Sequence, residues 1–139
     1  MGECFFDKEE RGEVTMALYV DLPVYKATYD LLLMVYKREN SLPREHRYAI
    51  VMEIKRHLVD ILSMVSRANA SREKVQYLSR ARLDLEEVRI RFRILSDLHL
   101  LGTKFFGEIC LREESISKQL TAWYNSAAKN EKKTIADIN

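Results

Sequence analysis

The stretch EKVQYLSRARLDLEEVRIRFRILSDLHL, residues 73–100, decides the fold. It contains no Gly or Pro, and its apolar residues recur at helical spacing. With Arg82 set at 0° and about 100° per residue, Leu78, Ala81, Leu85, Val88, Phe92 and Leu95 fall between about 220° and 320°. Leu83, Ile90 and Ile94 fall between about 80° and 120°. The first stripe can pack into the helix's own bundle. The second points elsewhere and reads as a subunit interface, because three large apolar residues in register are not scattered exposures. Arg82, Arg89 and Arg93 lie within about 40° of one another beside that second stripe. They present a basic surface to an acidic partner.

The flanking sequence supplies three more helices. Asp21-Leu22-Pro23 starts the first, with Pro suited to the opening turn. Leu22, Tyr25, Tyr29, Leu32, Leu33 and Tyr36 then share a face, so the tyrosines are expected in the core rather than stacked on nucleobases. Ser41-Leu42-Pro43 breaks that helix near Glu39-Asn40. The second helix runs from Pro43 to about Ala68, with a core stripe of Val51, Ile54, Leu58, Ile61, Leu62 and Val65, widened by Ile50, His57 and Met64. Asn69-Ala70-Ser71 connects it to the third, with Ser71 as the expected cap and Gly102 as the expected terminator. Thr103 opens the fourth helix, whose face is Phe106, Ile109, Cys110, Ile116, Leu120 and Trp123. Residues 1–20 read as an irregular lead-in, residues 21–125 as the bundle and residues 126–139 as a polar tail. The predicted fold is all-α: an antiparallel up-down-up-down four-helix bundle. Its second and third helices would be about 40 Å long, which leaves a slim rod that gains by oligomerising.

Composition agrees. A chain of 139 residues is one domain, and 47% hydrophobic content is enough for a core. Four Gly and two Pro suit a few long helices. The net charge of +2 predicts no partner by itself, but residues 44–93 hold 12 basic and 7 acidic side chains. Cys4 and Cys110 have no metal or redox spacing, and Cys110 reads as a small core residue. A disulfide framework is not expected, which favours a reducing cytoplasm. The first 15 residues do not read as a signal peptide, and no stretch has the roughly 20 apolar residues needed to span a bilayer.

The sequence offers little to an enzyme. A di-metal bundle needs Glu-x-x-His pairs from two helices, and there are none. The nearest spacing is His57-x-x-Asp60. His46, His57 and His99 read as structural. Glu86-Glu87 and Glu113-Glu114 are adjacent pairs that diverge on a helix. No Gly-rich phosphate loop is present. No catalytic residue, metal ligand or cofactor is expected. Of the basic residues, Arg80, Arg82 and Arg91 have acidic residues four positions away (Asp84, Glu86 and Glu87) and fit ordinary surface pairs. That reading covers Arg89 and Arg93 less well. Arg44, Arg47, Lys55 and Arg56 add charge on the second helix. The collective excess favours an acidic partner.

Several runs resemble the accessory variability determinant (Avd) proteins of diversity-generating retroelements. They are Leu22-Pro23-Val24-Tyr25-Lys26 with Tyr29-Asp30-Leu31-Leu32-Leu33, and Leu42-Pro43-Arg44-Glu45-His46-Arg47-Tyr48. Further on come Arg67-Ala68-Asn69-Ala70, Leu85-Glu86-Glu87-Val88-Arg89 and Asp97-Leu98-His99-Leu100-Leu101. The series closes with Ile116-Ser117-Lys118-Gln119-Leu120-Thr121-Ala122-Trp123. The resemblance covers residues 21–125, and the wider four-helix group includes the 23S rRNA intervening-sequence proteins. It implies a homopentameric ring or barrel of four-helix protomers without catalytic activity. Such proteins bind the retroelement's reverse transcriptase and template RNA in support of mutagenic cDNA synthesis and retrohoming. By position it implies Arg82, Arg89 and Arg93, with Arg44, Arg47, Lys55 and Arg56, as the RNA and transcriptase contacts. Leu83, Ile90 and Ile94 remain the expected oligomer interface. Two other readings compete: a structural or RNA-interaction protein of the intervening-sequence type with no transcriptase partner, and a helical metalloenzyme.

Overall fold

A computed structural model describes residues 18–138, and all regular structure among them is helical. A single 3-10 turn, Tyr19–Asp21, leads into α1, Pro23–Arg38. Pro23 occupies the first turn, where its missing N–H is not needed. A second 3-10 turn, Glu39–Ser41, ends α1. We label residues 44–70 α2; it begins with Arg44–His46, passes through a π-helical segment Arg47–Val51 and continues as Met52–Ala70. Helix α3 is Val75–Asp97 and α4 is Thr103–Ile138.

Each helix packs on two neighbours: α1 on α2, α2 on α3, α3 on α4 and α4 back on α1. With short connections this is the expected four-helix bundle. The α2 and α3 stripes behave as their periodicity predicts. Val51, Ile54, Leu58, Ile61, Leu62 and Val65 are buried, as are Leu78, Ala81, Leu85, Val88, Phe92 and Leu95.

The first helix is rotated relative to its predicted face. Its buried residues are Val24, Thr28, Leu31, Leu32 and Val35, while Leu33 and Tyr36 are exposed. Tyr25 and Tyr29 pack partly buried at the edge of the core. Thr28 enters the core because its hydroxyl donates to the Val24 carbonyl at 2.8 Å, leaving a methyl-bearing surface to pack. The tyrosines stay at the edge, where a phenol can reach water.

Both ends of α3 differ from expectation. The Ser71 hydroxyl accepts the N–H of Glu73 at 3.0 Å in the turn, and the N-cap position is Lys74, with no side-chain cap. Lys74 instead donates to the carbonyls of Ala68 and Ser71, 2.7 Å each, and so closes the end of α2. At the other end the left-handed residue is His99, φ 59°, not Gly102. The His99 N–H bonds the Ser96 carbonyl and the Leu100 N–H the Leu95 carbonyl, closing the last turn before Gly102 is reached.

Helix α4 also departs from its predicted face. Cys110 is exposed and Glu113 is buried, on a line with Ile109, Ile116 and Leu120. Glu113 stands four residues after Ile109 and three before Ile116, on the buried line, whereas Cys110 lies about 100° round the helix from it. The residues read as a polar tail continue α4 to Ile138, with Ala127 its last buried residue. At 36 residues α4 is about 54 Å long, against about 35 Å for α3. Most of the expected lead-in, including Cys4, lies outside the described residues.

Candidate interaction surfaces

Three features on α2, α3 and α4 can carry chemistry. The first is the outer face of α3. Leu83, Ile90 and Ile94 are 63%, 54% and 40% exposed, so the second stripe takes no part in the bundle. Arg82, Arg89 and Arg93 run beside it toward α4. The Arg82 guanidinium lies 4.6 Å from the Tyr124 ring centroid in place of the expected pairing with Glu86. Arg89 reaches Glu114 of α4 at 3.4 Å and Glu86 at 3.7 Å. Arg93 pairs with Asp97 at 3.7 Å. Both are paired, although the sequence reading fits them to surface pairs less well. Asp97 stands four residues beyond Arg93 and is an ordinary helix partner; Glu86 is three before Arg89, and Glu114 is brought near only by packing. Such exposed pairs hold by about 0–1 kcal/mol, so a phosphate or a partner's carboxylate can replace them at little cost.

The remaining candidates sit on α2 and are distributed rather than gathered. Arg44 is exposed and lies 5.7 Å from the Tyr48 ring centroid. Arg47 donates to Asn40 at 3.2 Å. Lys55 bonds Glu39 at 2.7 Å and lies 4.5 Å from the Tyr36 ring centroid, joining α2 to the end of α1. Arg56 bonds Glu53 at 2.7 Å and Asp60 at 3.4 Å. Sequence reasoning passes over Arg67 and Arg72, which are exposed and take part in no ion pair among the described residues. A signal for them exists in the sequence, since neither has an acidic residue three or four positions away.

The second feature is a polar seam between α2 and α3. His57 Nδ1 donates to Asp84 Oδ1 at 2.9 Å, with both side chains buried. Arg56 lies 3.3 Å from His57 Nε2, which fixes the ring as donor at Nδ1 and acceptor at Nε2. Expected Arg80–Asp84 and Glu87–Arg91 pairs border this seam at 3.9 Å and 2.6 Å. The guanidiniums of Arg56 and Arg91 hold Glu53 and Glu87 below the usual carboxylate range. His57, Asp60 and Asp84 bring potential metal-ligand atoms within 4.8 Å of one another. The Arg56 guanidinium already lies among those atoms, so a permanent cation occupies the space a metal would need.

The third feature is an open groove between α3 and α4, lined by Arg89, Arg93, Asp97, Phe106, Cys110 and Glu113. Glu113 Oε2 is buried without a hydrogen-bond partner among the described residues. Burial pushes its carboxyl up from 4.5 to about 7, against the opposing charge of Arg89. From sequence, Glu113-Glu114 reads as an adjacent pair that diverges on the helix. The two do diverge, but Glu113 points inward.

Among the described residues no helix is long and apolar enough to cross a membrane. Comparison with curated proteins finds no match. A protein-family model described as bAvd-like matches residues 23–127, from the first turn of α1 to the last buried residue of α4. That span covers the whole packed bundle and most of the chain. The chain therefore belongs to the bAvd-like family.

Proposed function

We propose that this protein is the non-catalytic accessory protein of a diversity-generating retroelement. It assembles as a cytoplasmic ring, a pentamer, and brings the reverse transcriptase together with its template RNA or RNA/cDNA. Family membership supports the retroelement setting. The observation that carries the contact surface is the row Arg82, Arg89 and Arg93 on one side of α3. These arginines are held only by a ring and by partly exposed carboxylates that a stronger acidic partner can displace. Arg44, Arg47, Lys55 and Arg56 extend the positive charge along α2. Repetition of the 44–93 excess around a ring multiplies it into a polyelectrolyte suited to an RNA backbone. The exposed stripe of Leu83, Ile90 and Ile94 supplies an apolar contact between copies.

The test is affinity purification of the tagged protein from its native host, with and without ribonuclease, with bound protein and RNA identified. Recovery of a reverse transcriptase with a discrete template RNA is expected. Recovery of ribosomal material or of this protein alone would overturn the retroelement reading and favour the intervening-sequence type.

A further inference from the structure

A ring requires each protomer to offer two different faces, one given and one received, related by rotation without translation along the axis. The α3 stripe is one such face. The structure carries a second that periodicity alone does not single out. Tyr48, Met52 and Val59 on α2 are 62%, 52% and 48% exposed. They lie within about 45° of one another on the helix surface, away from the core line of Ile54, Leu58 and Ile61. Lys55 flanks them on the edge where α2 meets the end of α1, and Arg56 flanks them on the other side, its guanidinium turned to Glu53 and Asp60. The α3 stripe points out of the neighbouring corner of the bundle, since α2 and α3 pack against each other.

We propose that the Tyr48–Met52–Val59 face receives the Leu83–Ile90–Ile94 stripe of the next copy, antiparallel, and that this junction closes the ring. The proposal rests on the oligomer reading above and names its second surface.

Three observations carry it. The spacings are mirror images: the α2 residues advance by four and then seven, the α3 residues by seven and then four. Laid antiparallel, Tyr48 meets Ile94, Met52 meets Ile90 and Val59 meets Leu83, over about 17 Å. The heights also agree. The His57–Asp84 bond fixes the register of α2 against α3 within the protomer. Counting along the antiparallel helices from that bond, Val59 is level with Arg82 and Met52 with Arg89. Each is one residue, about 1.5 Å, from its proposed partner, so the two faces meet by rotation with almost no rise. A mismatch of several residues would have produced an open spiral instead. Charge is complementary at one end: Arg44, exposed beside Tyr48 and in no ion pair among the described residues, comes against Asp97, which is 70% exposed beyond Ile94. This places Arg44, together with Lys55 and Arg56 that flank the same face, at the subunit boundary rather than on the RNA-facing surface.

Disulfide trapping of the full chain tests the junction, in a Cys4→Ser, Cys110→Ser background. Met52→Cys and Ile90→Cys are made singly, oxidised alone and oxidised as an equimolar mixture, with native mass followed by light scattering. A covalent dimer containing one of each chain, formed only in the mixture, is expected. The double variant should give a ladder of linked copies that ends at the native oligomer size. Dimers from Ile90→Cys alone would mean that like faces pair with like and would overturn the proposal. So would a native oligomer in which no combination cross-links, which leaves the oligomer reading itself standing. A parent protein that is monomeric throughout overturns both.

Discussion

His57 of α2 and Asp84 of α3 meet at 2.9 Å, buried beneath the charged rim of the α2–α3 seam, and their hydrogen bond holds the two most extensively packed helices in register. One side chain without the other leaves a buried polar atom without a partner. Asp84 Oδ2 accepts no hydrogen bond among the described residues and has only a 3.9 Å ion pair to Arg80, so the carboxylate depends on the histidine. His57→Ala is expected to lower stability by about 2–4 kcal/mol, and Asp84→Asn by less, because the amide oxygen can still accept the Nδ1–H. Urea unfolding at pH 7 followed by circular dichroism reads both.

Glu113 gives stability a pH dependence of definite sign. Its folded carboxyl titrates at about 7 and its unfolded one near 4.5, so between these values the folded chain holds a proton that the unfolded chain has released. The contribution is therefore full below pH 4.5, falls as pH rises and is lost above 7. Glu113→Gln is expected to be neutral at about pH 4 and stabilising at about pH 8, by on the order of 2–3 kcal/mol. A difference between variant and parent that stays constant across this window would mean that the carboxyl is not held in the core.

Arg89→Glu with Arg93→Glu should leave helix content and thermal unfolding close to the parent, because exposed ion pairs hold by only about 0–1 kcal/mol each. The same variant is expected to lose RNA and transcriptase binding. A milder pair, Arg89→Ala with Arg93→Ala, should flatten the dependence of log affinity on log salt by about 0.7 for each single-stranded phosphate no longer neutralised. Filter binding across a salt series measures this. An unchanged slope places the RNA elsewhere, with exposed Arg67 and Arg72 the next residues to replace.

His99 carries a backbone strain that Gly would not, since it sits at φ 59° at the end of α3 and is exposed. His99→Gly should raise stability by about 1 kcal/mol, and the melting temperature by about 2–4 °C. A melting temperature that falls would show that the imidazole makes a contact worth more than the strain.

The sequence by itself determined the four helices and the faces of α2 and α3. In those helices the apolar period is long and uninterrupted, and burial follows directly from it. A long run of consistent period leaves one orientation that hides the apolar side. The second stripe on α3 was legible for the same reason, because residues that break the core pattern in a regular way must face out. Family membership was also legible, in runs spread along the whole bundle.

What the sequence left open depends on neighbours that lie far away along the chain. The first helix carries apolar residues on most of its surface, so only the packing against α2 and α4 decides that Thr28 turns in and Tyr36 turns out. Glu113 looks like any surface acid until α3 covers it. Arg89 has only Glu86 near it along its own helix until α4 brings Glu114 alongside. The end of α3 falls earlier than Gly102 because a left-handed cap needs only one tolerant position, and His99 closes the turn first. The exposure of Tyr48, Met52 and Val59 likewise becomes visible only when the bundle fixes which side of α2 is already covered. Periodicity is a property of one helix; the cap, the buried acid and the level of one face against another are properties of helices packed together.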